Sequence, residues 1–404
     1  MLVQPHNHNA KHATNDRSAT PYDFAMARRV FEPVLALGAE SKGSICFYRE
    51  SRAELIGGLG NLTQPTHYRR YRQQVEAALH RAGAEPALIA HDAHPSYVST
   101  RLARSFGWPC LAVQHHHAHA MTIMAEHDVC GPVLALVCDG AGFGSDGTIW
   151  GCELLVCREE TFQRVGHHAT FPLLGGDLAA VQTWRPALAL LRAAFGNDWK
   201  NHVTGGVASI KTNEAEWLAG RRTAAEAHLQ TSSLGRLFDG VSCLLGLCDR
   251  NEYEGQAAVA LQRAAEVWTG APYAYETLVD VRGVRMSLIP CVRALVADAQ
   301  QRRSVAEIAG RFHETVARML TSAAQIMVDR TGIRLIVLSG GCFVNELLRE
   351  RVIAQLAGLG LDVLTPRRTS FGDDSLALGQ AVIGAAWLAS QRRVDGPTPA
   401  RIPL

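Results

Sequence analysis

The sequence contains no Cys-x-x-Cys pair; its 10 cysteines are scattered, and the nearest spacings are Cys152 with Cys157 and Cys243 with Cys248. Zinc-ribbon and dithiol redox motifs are therefore excluded. No secretory signal opens the chain, so these thiols are expected to be reduced, mostly buried, and cytoplasmic. No apolar run approaches ~18 residues, the length that crosses a bilayer, and no membrane span is expected. A charge excess is missing too: 40 basic against 38 acidic side chains leave +2, which argues against a nucleic-acid partner.

What is present is a chain of 404 residues, 47% hydrophobic and 19% charged, too long for one ordinary core and suited to two lobes. Residues 1–27 read as a disordered tail, with His6, His8 and His12 among Asn, Thr and Ser. The densest signal lies further on, in Val113-Gln-His-His-His-Ala-His119. Leu111-Ala-Val113 reads as the end of a buried strand and the residues after it as a helix. His115 and His119 then stand one helical turn apart at a strand's carboxyl edge. Two imidazoles so placed can close on one cation; the competing reading is a histidine cluster that caps the helix or packs on the sheet. His116 and His117 point elsewhere.

Around this stretch strands and helices alternate. Pro33-Val-Leu-Ala-Leu37, 44–48 and 53–56 form a three-stranded meander; 65–82 is a helix stopped by Gly83, 87–90 a strand and 97–106 a helix. Pro132-Val-Leu-Ala-Leu136 repeats the first pentapeptide and leads through the glycine-rich turn Asp139-Gly-Ala-Gly-Phe-Gly-Ser-Asp-Gly147 to a second strand, 148–156. An internal duplication explains the repeat. A mostly helical insert covers about 183–327, and strand 334–338, helix 345–359, strand 362–365 and helix 375–389 complete the chain. The expected fold class is α/β, a two-lobed actin-like (ASKHA) ATPase fold with duplicated mixed-sheet lobes and a helical insert. Its expected parts are a first lobe at 28–165, the insert and start of the second lobe at 166–330, and the remainder with a C-terminal helix at 331–404. Ligands of such folds lie in the cleft, at the carboxyl ends of strands.

Several side chains there carry chemistry. Gly140, Gly142 and Gly144 permit positive φ and let backbone N–H groups approach an anion, while Asp139 and Asp146 can hold its cation; the alternative is a hairpin turn chosen for its geometry. Ser339, Gly340 and Gly341 lie between a strand and a helix, where free helix N–H groups bind phosphate, and Asn345 bonds a nucleotide or caps that helix. Asp373, near the start of the last helix, is an N-cap or a metal ligand opposite His115 and His119. The second case makes a mixed imidazole and carboxylate site suited to zinc or ferrous iron. Lys42, in the first hairpin turn, neutralises a phosphate oxygen or is solvated. Glu254 and Gln256 open a helix, where they reach a ribose or form its polar first turn.

Taken together these stretches resemble one family. The histidine segment, Asp139-Gly-Ala-Gly-Phe-Gly-Ser-Asp-Gly-Thr-Ile-Trp-Gly151, Tyr253-Glu-Gly-Gln-Ala-Ala258 and Leu338-Ser-Gly-Gly-Cys-Phe-Val-Asn345 are similar to the carboxyl-terminal half of the HypF hydrogenase maturation carbamoyltransferases. Asp92-Ala-His-Pro-Ser-Tyr-Val-Ser-Thr100 and Leu378-Gly-Gln-Ala381 extend the match, which covers about 33–389. The resemblance implies that carbamoyl phosphate and ATP give carbamoyl adenylate. It further implies that the actin-like module, related to the tRNA threonylcarbamoyltransferases, passes the carbamoyl group to the C-terminal cysteine of the partner HypE. The thiocarbamate becomes the cyanide on the iron of nickel-iron hydrogenase. By the same resemblance His115, His119, Asp139 and Asp373 hold a divalent metal (iron, zinc or magnesium). It also places the glycine-rich turn, Ser339 to Gly341, Asn345 and Glu254 around the nucleotide pocket; on the residue reading, Gln256 joins that pocket and Lys42 joins the two histidines in catalysis.

The chain also departs from that family. The acylphosphatase-like, Cys-rich zinc and YrdC-like domains of full-length members have no counterpart, which implies a short form or a fragment. Ile56-Gly-Gly-Leu-Gly-Asn61 stands where the family has Ile-Gly-Asp-Leu-Glu-Asn, and Ala180-Val-Gln-Thr-Trp-Arg185 replaces Ala-Arg-Glu-Pro-Trp-Arg, losing acidic and basic groups. Three rivals stay open: a non-catalytic nucleotide-binding platform, an O-carbamoyltransferase, and a sugar kinase. The O-carbamoyltransferases carry a YrdC-like part after the module, for which the chain leaves no room, and a sugar kinase has no use for the histidine pair.

Overall fold

Alternation of apolar and polar residues sets the first strand earlier than expected. A computed structural model describes residues 21–203 and 229–394; the histidines of the tail and the 204–228 part of the insert lie outside the described residues. Strand β1 spans Tyr22–Ala36, with Phe24, Met26 and Val30 facing inward and Tyr22, Ala25 and Phe31 outward, so six residues assigned to the tail belong to the sheet. β2 is one strand, Ile45–Ile56, not two. Its charged middle, Arg49-Glu50-Ser51-Arg52, reads as a turn in sequence but is the solvated stretch of a long hairpin. There Arg52 donates to the Asp23 carboxylate at 2.6 Å, and a register shift beside Val30 bends the ribbon. α1 (Pro65–Ala82), β3 (Leu88–Asp92), α2 (Val98–Ser105) and β4 (Cys110–Val113) complete a four-stranded sheet of order β2-β1-β3-β4. α3 (His115–Glu126) follows at once.

The second sheet repeats this plan. β5 (Val133–Phe143) and β6 (Ile149–Cys157) form its hairpin, and β7 (Phe162–His168) pairs with β6. After the short β8 (Phe171–Pro172), α4 (Leu178–Val181), α5 (Trp184–Phe195) and β9 (Gln230–Thr231) come α6 (Leu234–Leu244), α7 (Gln256–Ala264), β10 (Glu276–Asp280), β11 (Gly283–Ser287), α8 (Ile289–Gln300), α9 (Val305–Thr331) and β12 (Leu335–Ser339). α10 (Glu346–Gly358), β13 (Asp362–Leu364) and α11 (Leu376–Val394) end the described chain. The sheet runs β10-β11-β7-β6-β5-β12-β13. Leu35 pairs with Ile89 of β3 as Leu134 pairs with Ile336 of β12, so the two copies of the pentapeptide occupy equivalent registers.

That pairing moves the lobe boundary. Because β5 hydrogen-bonds to β12, residues 133–168 are the heart of the second sheet rather than the end of the first lobe. The insert is not purely helical either, since β10 and β11 extend the sheet edge. The last helix also changes sides: α11 packs on α3, β1, β2 and β3. α3 and α11 lie in one core that takes Val34, Ala36 and Leu88 from the first sheet and Val133, Ala135 and Val137 from the second. Every residue of α3 from His115 to Ala125 is buried, which explains why its sequence is apolar on all sides between the histidines.

Buried histidines give the fold a measurable acid limit. His313 donates from Nδ1 to the Ala309 carbonyl at 2.7 Å and accepts at Nε2 from Asn345 Nδ2 at 3.0 Å, and His168 Nε2 accepts from Leu288 N at 3.1 Å. Burial pushes each down to about 4. Below the ordinary value near 6.5 the unfolded chain takes up protons that the folded chain refuses until about pH 4, so stability falls as pH drops through that window. The loss is up to about 3 kcal/mol for each group. Denaturant midpoints at pH 7 and pH 4.5 check this, and His313→Gln is expected to flatten the slope; an unchanged slope in the variant would contradict it.

Candidate metal centre

Four side chains from three parts of the chain converge at the carboxyl ends of the central strands. His115 opens α3 directly after β4; Gln114 caps the helix, its Oε1 accepting from His117 N at 2.9 Å. His119 follows one turn on. Asp139 sits in β5 where the ladder to β6 is interrupted between Cys138 and Gly142, which frees its carboxylate to leave the sheet. Asp373 comes from the turn before α11 and is steered by the first hairpin, Ser41 Oγ donating to its Oδ2 at 2.8 Å and Ser44 Oγ to its carbonyl at 3.1 Å. His115 Nε2 lies 3.2 Å from Asp139 Oδ2 and 3.5 Å from Asp373 Oδ1. His119 Nε2 is 3.8 and 3.3 Å from the same two atoms. One ligand atom from each of the four falls within 4.8 Å of all the others.

The electrostatics fit a cation. Burial opposes protonation of both imidazoles, yet Asp92, Asp373 and Asp139 outweigh it and hold His115 well above its ordinary range, with His119 also raised. Burial works against Asp139 and Asp373 as well, and the two histidines overcome it and keep both carboxyls ionised. His119 Nε2 is buried without a hydrogen-bond partner, a costly arrangement that a bound metal removes. Two imidazoles and two carboxylates suit zinc or ferrous iron better than magnesium, which prefers oxygen alone.

Asp92 belongs to this centre and was missed as a functional residue. It is fully buried, and its Oδ2 accepts from His115 Nδ1 at 2.7 Å while Oδ1 accepts from His94 N at 2.8 Å. The signal was available: β3 and β4 pair in parallel with Asp92 opposite Val113, so an Asp ending β3 must lie beside the histidine that follows β4. Such a carboxylate orients a ligating imidazole and fixes its tautomer. Asp92→Asn is expected to weaken metal affinity about 10- to 100-fold, measured by competition with a chromogenic chelator. Wild-type affinity would show that His115 needs no such support.

The glycine-rich stretch is mostly strand rather than turn. Gly142 is required for close approach, since a Cβ there would lie 2.5 Å from His116 Cε1, and one on Gly144 would collide with the Trp150 indole nitrogen. Of the three, Gly140 alone opens onto free space. Asp146 does not join the metal ligands: Oδ1 accepts from Thr148 and from Trp150 Nε1 at 2.9 Å, and Oδ2 binds Arg164 at 2.8 Å, which fixes the true hairpin turn. Ser339, Gly340 and Gly341 do reach the centre. Ser339 Oγ lies 3.5 Å from His119 Nδ1, and Gly341 N donates to Asp139 Oδ1 at 3.1 Å. Asn345 caps α10, its Oδ1 accepting from Leu348 N at 3.0 Å, and its Nδ2 bonds His313. Gln256 Oε1 accepts from Glu252 N at 2.6 Å. Lys42 and Glu254 meet at 3.2 Å, joining the first hairpin turn to the insert across the mouth of the site. As expected, His117 turns away, its Nε2 donating to the Arg158 carbonyl at 2.8 Å.

Comparison with known proteins gives the family. A family profile described as "Carbamoyltransferase, Kae1-like Domain, second subdomain" matches 135–380, and one described as "HypF Kae1-like domain" matches 29–126. A carbamoyltransferase HypF homolog of Cupriavidus necator is 36% identical and aligns over 92% of this chain and 94% of its own length. Carbamoyltransferase HypF2 of the same organism is 35% identical over 93% of this chain but 48% of its own length. A crystal structure of full-length HypF in the phosphate- and nucleotide-bound form superposes with a TM-score of 0.85 at 31% identity, covering 92% of this chain and 48% of that one. The chain thus spans nearly all of one relative and about half of the others. With its two-lobed actin-like fold, it belongs to the HypF family of carbamoyltransferases, in the part that carries their Kae1-like domain.

Proposed function

We propose that this chain is a cytoplasmic transfer module of nickel-iron hydrogenase maturation. It takes carbamoyl adenylate, formed from carbamoyl phosphate and ATP, and passes the carbamoyl group to the C-terminal cysteine of HypE. The observation that carries the reading is the buried quartet His115, His119, Asp139 and Asp373 at the mouth between the two sheets. A divalent metal held there, zinc or iron by the donor set, supplies Lewis-acid polarisation of a carbamoyl or phosphate oxygen. Asp92 keeps the His115 ring in register, and the Gly140 edge leaves room for the substrate. Lys42 brings a cation to the rim. Burial works against its charge, but Glu254 and Asp373 raise its pKa above the ordinary value, so it stays protonated and faces negative oxygens.

The acceptor thiol comes from outside. Cys138, next to Asp139 in the chain, and Cys342, which feels the Asp139 charge, are pushed far up by burial and stay protonated. In the transfer a carbon–sulfur bond forms to the incoming thiolate, the carbon–oxygen bond to AMP breaks with the electron pair leaving on AMP, and the thiol proton goes to solvent. The complete quartet favours this over a non-catalytic platform, since a platform has no use for two imidazoles and two carboxylates that converge on one point with His119 Nε2 left without a hydrogen bond. The test supplies carbamoyl adenylate and HypE to the metal-loaded chain and reads the mass of the HypE C-terminal peptide. One added carbamoyl group is expected. An unmodified peptide from a chain that binds the adenylate supports the platform instead.

A further inference from the structure

Arg236 stands on the first turn of α6, where the insert meets the strand that carries Asp139. Ser233 caps this helix, accepting from Arg236 N at 3.0 Å and donating to the Gly140 carbonyl at 2.6 Å, which pins the helix N-terminus onto β5. The approach is close because Gly235 lacks a side chain: a Cβ there would lie 2.9 Å from Gly140 Cα. On its own side-chain face Gly140 is open, and the single heavy atom within reach of a Cβ there is Arg236 Nη2, at 4.0 Å.

The guanidinium is not fully used by the protein. Its side chain is 12% exposed, and Nη2 pairs with Asp239 Oδ2 at 2.7 Å. Nε is buried and makes no hydrogen bond. An arginine has five N–H donors in one plane, and one retained only to neutralise Asp239 gains by turning the rest to carbonyls. Asp239 has another partner in any case, Asn251 Nδ2 at 3.3 Å, and Asn251 Oδ1 accepts from Ala257 N at 2.9 Å, so its loop is held without the arginine. What remains is a cation whose Nη2, with a second N–H besides the one paired to Asp239, stands at the edge of an open space one residue from Asp139.

We propose that Arg236 is the anion-binding residue of the cleft, taking the phosphate of the adenylate above Gly140, between its guanidinium and the quartet. The positive end of α6 lies behind the same space and adds to the attraction. Gly140 is then glycine because a side chain would fill the phosphate's place. This rests on the reading of the chain as an adenylate-using transferase and names the group that holds the phosphate.

Calorimetric binding of AMP, with adenosine as the uncharged control, tests it on the metal-loaded full chain. The variants are Arg236→Met, Arg236→Lys and the double variant Arg236→Met/Asp239→Asn, which leaves no unpaired buried charge. AMP is expected to bind at least roughly tenfold more weakly to Arg236→Met and to the double variant, with adenosine unchanged and partial recovery in Arg236→Lys, because a charge-assisted hydrogen bond is lost. AMP binding of wild-type strength by the folded double variant overturns the proposal. Equal weakening of adenosine and AMP also overturns it, since that marks a structural role. A wild-type chain that binds neither ligand refutes the adenylate reading itself, which separates the two failures.

Discussion

His119→Ala is expected to abolish metal binding and to lower carbamoyl transfer by about a thousandfold or more, with the fold retained. The ring is buried, its Nε2 lies 3.3 Å from Asp373 and 3.8 Å from Asp139, and that nitrogen has no hydrogen-bond partner. Removing one of four ligands takes away Lewis-acid stabilisation of about 4 kcal/mol, which corresponds to that factor in rate. The metal-free fold loses less, because truncation also deletes a buried polar atom that is unsatisfied, and the two effects oppose each other. Metal content by mass spectrometry, transfer to HypE and the denaturant midpoint of the metal-free protein measure the three parts separately. Retention of both metal and transfer would remove His119 from the ligand set; collapse of the midpoint would give it a packing role instead.

Gly379→Ala is expected to cost about 3 kcal/mol or more in stability and to loosen the metal site with it. A Cβ at this position would run into the Ala118 carbonyl and lie 2.8 Å from Thr122 N, so α11 sits against the backbone of α3. Backbone cannot yield as a flexible side chain can. The contact is also tied by hydrogen bonds, Gly379 N donating to Thr122 Oγ1 at 3.2 Å and Thr122 Oγ1 donating to the Ala118 carbonyl at 3.0 Å. α3 carries His115 and His119, and the turn before α11 carries Asp373, so parting the helices separates ligands as well as apolar surfaces. Equilibrium unfolding and chelator competition read the two losses. Stability and affinity matching the wild type would show that the helices can shift apart at no cost.

The structure brings the four expected ligands together, though in sequence each carried only a local hint and the family resemblance joined them. His115 and His119 are one helical turn apart after a short apolar strand, Asp139 ends the apolar part of a repeated strand, and Asp373 precedes a helix. Glycine was harder to read. In sequence it signals either positive φ or close approach, and Gly142 and Gly144 serve the second while Gly140 borders open space; within that stretch Gly147 alone has positive φ, at 78°. Asp146 and Asn345 bind backbone and neighbouring side chains, which short-range pattern cannot distinguish from binding a ligand. The lobe boundary was misplaced because the pairing of β5 with β12 joins segments far apart in the chain. Arg236 and Asp92 escaped for the same reason: each takes its meaning from a neighbour on another element.

The return of α11 to the first sheet sets an order of events during synthesis. Strands β1 to β4 and α1 can assemble early, from contacts near in sequence, whereas the shared core stays open until β12 and α11 have been made. A nascent chain therefore carries both imidazoles and Asp139 long before Asp373, and before the helix that holds them at close range. The four residues of the candidate centre come together only once the start of the last described helix has docked on α3.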